Sequence, residues 1–180
     1  MEIVNTLRDR AAARETVFYD IYTDAEKNAD HAKEDMGLFF FKGEAGKPFA
    51  VCNAGGAFAN ADELEVSTDC YSLWGGLSGS LGPAAFGGED LPKPGTVAMQ
   101  YTGHSEYNPA GEPPTFAVAG DNDGIASWRT MERRIDALSG MGVDTEFHHY
   151  GGLGHGFGLG SGTNAEGWFD LAVRVLEKQM

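Results

Sequence analysis

Thr115-Phe-Ala-Val-Ala-Gly-Asp-Asn-Asp-Gly124 is an apolar run that breaks into a glycine–aspartate turn, and Gly154-His155-Gly156 follows further along the chain. A run of this length, entered through a proline-bearing loop and left through Asp-Gly, is the pattern of a buried strand, Thr115 to Ala119. Asp123 then falls at the strand's carboxyl end. One helical pattern and one alternating stretch separate it from His155, so parallel topology returns both residues to the same sheet edge. Ligand sites of open α/β sheets cluster at that edge. A carboxylate in this position can orient a histidine base for nucleophilic catalysis. Either residue alone is more often structural; the pairing at adjacent strand ends carries the catalytic expectation.

The neighbouring segments fit this frame. Ser127 stands where a helix cap is needed, and Trp128, Met131, Ile135 and Leu138 line one face of the helix it would open, with Gly140 and Gly142 as stops. Val143 to Tyr150 alternates as a strand. Thr163 with Glu166 predicts a capping box for a last helix that buries Trp168, Leu171, Ala172 and Val175, with Lys178 suited to its end. Upstream, Thr96 to Tyr101 and Cys70 to Trp74 read as buried strands, the second running into Gly75-Gly76. Pro48 to Cys52 and Gly37 to Phe41 are two more strands, and Val17 to Tyr22 alternates as a half-buried one. Asp24 to Asp35 reads as a polar connection, and Glu2 to Arg14 as a short amphipathic helix with Ile3, Val4, Leu7 and Ala11 on one side. Strands alternating with helices specify a mainly parallel sheet with flanking helices, with antiparallel pairing among the first strands.

The 180 residues predict a single domain, with 42% hydrophobic and 11% aromatic residues setting aside wholesale disorder. A formal net charge of -14 argues against nucleic acid or an anionic membrane as partner. No segment has the run of apolar residues that a membrane span requires, and the N-terminus has no apolar core of a signal peptide. A soluble, cytoplasmic protein is expected, with room for a homo-oligomer. Cys52 and Cys70 sit in apolar runs without zinc-type spacing and read as reduced, buried thiols.

Other chemistry is weighed at three places. The loop Gly151 to Gly162 contains neither G-x-G-x-x-G nor G-K-[ST], so its glycines serve tight turns around His155 instead of cradling phosphate. His148 and His149 are adjacent in a strand and face opposite ways, which speaks against a shared metal; no metal or cofactor is expected. Asn53-Ala-Gly55-Gly56 follows a strand, where Gly55 and Gly56 could turn backbone N–H groups toward a developing oxyanion or simply form a turn. For the nucleophile, Gly75-Gly-Leu-Ser78-Gly-Ser80 admits two frames of the G-x-S-x-G elbow. From Gly75 the central residue is Leu77, which cannot attack. From Gly76 it is Ser78, with Ser80 in place of the closing glycine.

Taken together, the chain resembles the α/β-hydrolases, specifically the small bacterial esterases related to acetyl esterases and lipases. The resemblance rests on Val17-Phe-Tyr-Asp-Ile-Tyr, Gly37-Leu-Phe-Phe-Phe-Lys-Gly, Pro48-Phe-Ala-Val-Cys, Tyr71-Ser-Leu-Trp-Gly, Gln100-Tyr-Thr-Gly-His-Ser, Gly120-Asp-Asn-Asp-Gly-Ile-Ala and Gly154-His-Gly-Phe-Gly. It implies Asp123 and His155 as acid and base, Gly55 and Gly56 as the oxyanion hole, and a small-molecule ester as substrate. It also implies an internally shortened member. Family members carry a helix, a strand and a further helix that this chain lacks after Phe58, and the strand belongs between the second and third of the sheet. They also run from the elbow into a covering helix, whereas here Gly75-Gly76 passes to what resembles the sequence after that helix. Two functions follow: a serine esterase with Ser78, Asp123 and His155 as triad, or a catalytically impaired hydrolase fold acting as a binding or interaction module.

Overall fold

The computed structural model describes residues 2–34, 37–41, 43–44, 47, 49–53, 71–76, 94–109 and 111–179. These fall into two compact units, one within residues 1–47 and one from residue 49 onward.

In the first unit, helix α1 (Glu2–Ala12) is followed by strand β1 (Phe18–Asp20), helix α2 (Asp24–Ala29), a 3-10 turn (His31–Lys33) and strand β2 (Gly37–Phe39). Leu7 of α1 is half-buried, but Ala11, expected on the same apolar side, is exposed. Around β1, Val17, Tyr19 and Ile21 are half-buried while Phe18 and Asp20 are exposed, the alternation expected from sequence, but it ends at Tyr22, which is half-buried too. β1 and β2 pair antiparallel, with Phe18 opposite Phe39 and Asp20 opposite Gly37, in a two-stranded sheet of their own. The stretch expected to be a polar connection is instead helical. Thr23 and Glu26 form a capping box there: the Glu26 amide donates to the Thr23 hydroxyl at 3.3 Å and the Thr23 amide to the Glu26 carboxylate at 2.8 Å. The Thr23 amide, and after it the Thr23 hydroxyl, which donates to the same carboxylate at 2.8 Å, hold the Glu26 carboxyl below its ordinary pKa. Arg10 ties the end of α1 to the Phe40 carbonyl at 3.0 Å.

The second unit is built on five parallel strands in the order β3 (Phe49–Asn53), β4 (Tyr71–Gly76), β5 (Thr96–Gln100), β6 (Thr115–Gly120) and β7 (Thr145–Tyr150). This is the parallel α/β architecture the sequence implies. β3 is bonded directly to β4, Asn53 opposite Gly75, and the N-terminal strands pair with each other instead of with this sheet. β4 continues through both glycines expected to begin the elbow, Gly76 standing opposite Gln100. Gly75 and Gly76 are therefore strand residues, and the chain leaves the sheet only after them.

Among the described residues, two helices cover the sheet on opposite faces. Alternate residues of β5 and β6 sort between them, as a period of two requires. Val97, Met99 and Ala117 face Met131, Ile135 and Leu138 of α3 (Trp128–Gly140), with Phe147 and Val143 packed alongside. Ala98, Phe116, Val118 and Trp74 face Trp168, Ala172 and Val175 of α4 (Trp168–Glu177). The Trp74 indole N–H donates to the buried Ser72 hydroxyl at 2.8 Å. α3 ends as predicted: Gly142 takes a positive φ of 82°, the Val143 amide donates to the Leu138 carbonyl at 3.1 Å, and that of Gly142 to Ser139 at 2.9 Å.

Two expected caps are not made. Ser127 occupies the cap position of α3, but its hydroxyl makes no capping bond. Thr163 and Glu166 form a separate turn ahead of α4, whose cap position belongs to Gly167. In that turn the Thr163 hydroxyl donates to the Gly160 carbonyl at 2.6 Å and the Glu166 carboxylate accepts from the Gly162 amide at 3.0 Å.

Candidate active site

The loop after β6 and the loop after β7 are stitched together at the carboxyl edge of the sheet. The Asn122 amide donates to the Leu153 carbonyl at 3.0 Å, and the Gly152 amide to the Asp121 carboxylate at 2.6 Å. Gly120 is where the loops press closest, because a Cβ there would overlap the Leu153 carbonyl. The β7 loop is in turn anchored on both sides of His155: Leu153 and Phe157 pack into the cluster under α4. The Gly158 carbonyl accepts from the Trp168 indole at 2.9 Å and from the Gln100 side-chain amide. The loop's reversals need glycine, most plainly at Gly160, where φ is 69° and a Cβ would press on the Ala165 backbone. These turns carry out the role assigned to the glycines from sequence.

Within this frame the Asp123 carboxylate and the His155 imidazole meet at 2.7 Å, Oδ2 to Nδ1. The Asp123 side chain has no solvent exposure and that of His155 has 14%. The other carboxylate oxygen accepts the amides of Ile125 at 2.8 Å and Ala126 at 2.9 Å, so Asp123 is fixed before it touches the histidine. Burial pushes the Asp123 carboxyl up, but the two amide donors and then the imidazole outweigh it, and the net shift is downward. An ionised Asp123 only accepts, so Nδ1 carries the shared proton and Nε2 of the neutral ring is left as the basic lone pair. Nε2 is buried and has no hydrogen-bond partner among the described residues. The ring also lies against Tyr101, with centroids 5.0 Å apart at an interplanar angle of 58°.

Asp123 and His155 are thus brought together as their positions at neighbouring strand ends predict. Ser78, Gly55, Gly56 and Cys70 lie outside the described residues, and of Cys52 only its place in β3 is described. His148 and His149 do face opposite ways. His148 bonds Glu146 at 2.7 Å, while His149 stacks on Trp128 with ring centroids 4.5 Å apart. Among the described residues no group of three or more His, Cys, Asp or Glu could hold a metal ion, and no helix is long and apolar enough to cross a membrane. Two residues had no signal as site residues in the sequence: Tyr101, whose ring lies against His155, and Gln100, which bonds the loop at Gly158. Both follow from the register, since β5 ends beside β6 at the edge that carries Asp123.

No family model matches the sequence, and neither does any curated protein. Solved structures do. The carboxylesterase Cest-2923 from Lactobacillus plantarum superposes with a TM-score of 0.53 at 16% identity, over 66% of this chain and 62% of that one. Carboxyl esterase 2 from the mycorrhizal fungus Tuber melanosporum matches with a TM-score of 0.53 at 15% identity, over 66% and 57%. MGS-M1, an α/β hydrolase from a Medee basin deep-sea metagenome library, matches with 0.51 at 24% identity, over 67% and 58%. The chain has an α/β-hydrolase fold. It spans about three fifths of the length of these three hydrolases.

Proposed function

We propose that this α/β-hydrolase fold cleaves carboxylic esters of short acyl chains by acyl transfer to a serine, with His155 as base and Asp123 as its orienting acid. The observation that carries the proposal is the Asp123–His155 pair, with Nδ1 committed to the carboxylate and Nε2 left as a buried lone pair. Ser78 is the proposed nucleophile. Supporting it, β4 runs through Gly76 at the same carboxyl edge, which leaves Ser78 as the second residue past the strand, and Leu77, the centre of the other frame, carries no nucleophile.

In the proposed reaction Nε2 takes the Ser78 hydroxyl proton as the oxygen attacks the ester carbonyl. The oxyanion is held by backbone N–H groups at Gly55 and Gly56. Collapse breaks the ester C–O bond, and the alcohol leaves with the proton from Nε2. Water, deprotonated by the same nitrogen, then frees the acid and restores Ser78. No step needs a metal or an organic cofactor. The small-molecule ester is the only partner the proposal requires.

The test is intact mass after treatment with a fluorophosphonate, on the wild-type chain and on Ser78→Ala. A single covalent adduct on wild type that is lost in Ser78→Ala is the expected result. Folded wild-type protein that takes no adduct would refute the serine mechanism. It would favour the second function, a hydrolase-fold binding module, for which the replaced elbow sequence is the specific argument.

A further inference from the structure

We infer that Tyr101 is a positioning residue for the base: its ring holds the His155 imidazole in the plane that joins Asp123 on one side and leaves Nε2 aimed at the substrate on the other. The inference rests on the proposed role of His155 and adds a residue to it. Tyr101 follows the last residue of β5 and has φ of 36°, one of two non-glycine residues with positive φ among those described. A bulky side chain keeps that conformation only where its surroundings hold it, and such residues gather at functional sites.

The holding contacts are on both ends of the residue. Its amide donates to the Val118 carbonyl of β6 at 2.8 Å, which extends the sheet by one bond past β5. Its ring, 8% exposed, is wedged between His155 at 5.0 Å and Phe157 at 5.1 Å. The preceding residue, Gln100, binds the Gly158 carbonyl of the histidine loop. The end of β5 therefore braces the base and the loop just after it, while Asp123 approaches from the β6 side. The positive φ aims the ring at the imidazole, the contact that the unfavourable backbone serves.

The bracing also has an electrostatic sense. Of the titratable residues, Asp123 bonds His155 through its carboxylate and Tyr101 lies against it through its ring; Asp121 bonds the Gly152 amide. A ring centroid within about 6 Å of a cation is close enough to attract it. Loss of the ring both loosens the imidazole from Asp123 and removes that attraction, and the two effects lower the stability of the imidazolium together.

Isotope-edited NMR of His155 tests this, following its titration midpoint and the downfield Nδ1–H resonance in Tyr101→Phe and Tyr101→Leu. Both variants keep a non-glycine residue at the strained φ and a large apolar side chain, so backbone and volume are nearly matched. Tyr101→Phe is expected to keep the wild-type midpoint and the resonance. Tyr101→Leu is expected to lower the midpoint by about half a unit, the size of a partly exposed ring–cation contact, and to broaden the resonance through faster exchange. A folded Tyr101→Leu with the wild-type midpoint and a sharp resonance would overturn the inference and leave Tyr101 as core filling. Because the readout is the Asp123–His155 pair and not turnover, it stands or falls separately from the fluorophosphonate result.

Discussion

The two units of the chain are held by different physics. In the second, a whole strand vanishes from solvent: every residue of β6 is buried, and each face of the sheet has a helix on it. In the first, no residue whose exposure is described is buried. Its elements are held by a capping box, by the Arg10 bond to the Phe40 carbonyl, by an ion pair between Lys27 and Asp20, and by a Phe18–Phe39 ring pair at 5.0 Å. Burial of apolar area scales to many kcal/mol, whereas exposed polar contacts each contribute about 1 kcal/mol or less. The comparison teaches where a site can be kept. Asp123 and His155 stand in loops at the ends of strands that a large apolar commitment immobilises.

The largest expected effect breaks that contrast at its centre. Phe116 is fully buried between Trp168 and His148, and Phe39 is 51% exposed although it too sits in a strand and pairs with an aromatic ring. Phe116→Ala should cost about 3–5 kcal/mol in denaturant unfolding, and Phe39→Ala about 1 kcal/mol or less. All three tryptophans, Trp74, Trp128 and Trp168, belong to the second unit, so indole fluorescence reads the cost of Phe116→Ala, and hydrogen exchange of the β1 and β2 amides reads that of Phe39→Ala. Equal costs for the two substitutions would mean that the first unit is as tightly packed as the second.

A smaller effect, and one that depends on pH, belongs to the connection between β5 and β6. Glu112 and Arg134 form an ion pair at 2.8 Å with each side chain 1% exposed, and the Asn108 amide donates to the other Glu112 oxygen at 2.6 Å. His104 is buried nearby. Burial first, and then the Arg134 charge, push its pKa down, against weaker opposing pulls from Glu106 and Glu112. The native histidine therefore resists a proton that the unfolded chain accepts. As pH falls through the unfolded value of about 6.5, the unfolded state binds more protons and stability drops. Asp123 acts in a separate, lower window: its pKa is depressed, so its stabilisation is lost only as pH falls below the ordinary aspartate range. The unfolding free energy should fall between pH 7 and 5 in wild type and stay flatter in His104→Gln. Parallel slopes for the two proteins would contradict the burial argument for His104.

The parallel sheet and the Asp123–His155 pair were legible because both depend on regular periods. Apolar runs at strand length, followed by turn residues, locate strand ends, and parallel topology then brings consecutive ends together. Tyr101 was not legible, since its φ and its ring contacts arise from β5, β6 and the histidine loop meeting. Glu112 and Arg134 escaped for a similar reason: a charged residue on a helix pattern reads as solvent-facing until a connection closes over it. Gly75 and Gly76 misled in the other direction. Glycine signals a turn locally, but ladder bonds on both sides, to β3 and β5, keep Gly75 in the strand.

The helix caps sharpen the comparison most finely, because the same pattern, threonine with glutamate three residues on, occurs once in each unit. At Thr23–Glu26 it caps a helix that the surrounding charges had concealed. At Thr163–Glu166 it makes a turn, because the apolar positions that α4 must bury begin only at Trp168, and packing under the sheet sets where the helix starts. Helix α2 has six residues and none buried, too short to persist on propensity alone, so its cap is a large share of what holds it. Thr23→Ala should cost about 1 kcal/mol locally, speeding hydrogen exchange at the Lys27 and Asp30 amides about fivefold with no change in indole fluorescence. Thr163→Ala removes the bonds to the Gly160 carbonyl and from the Ala165 amide, and its effect should stay within that turn. The amides of α4 should exchange as in wild type, since the first of them bond to Ala165 and Gly167 carbonyls. Faster exchange along α4 in Thr163→Ala would return the capping role to Thr163, and with it the principle that local pattern outranks packing in this half of the chain.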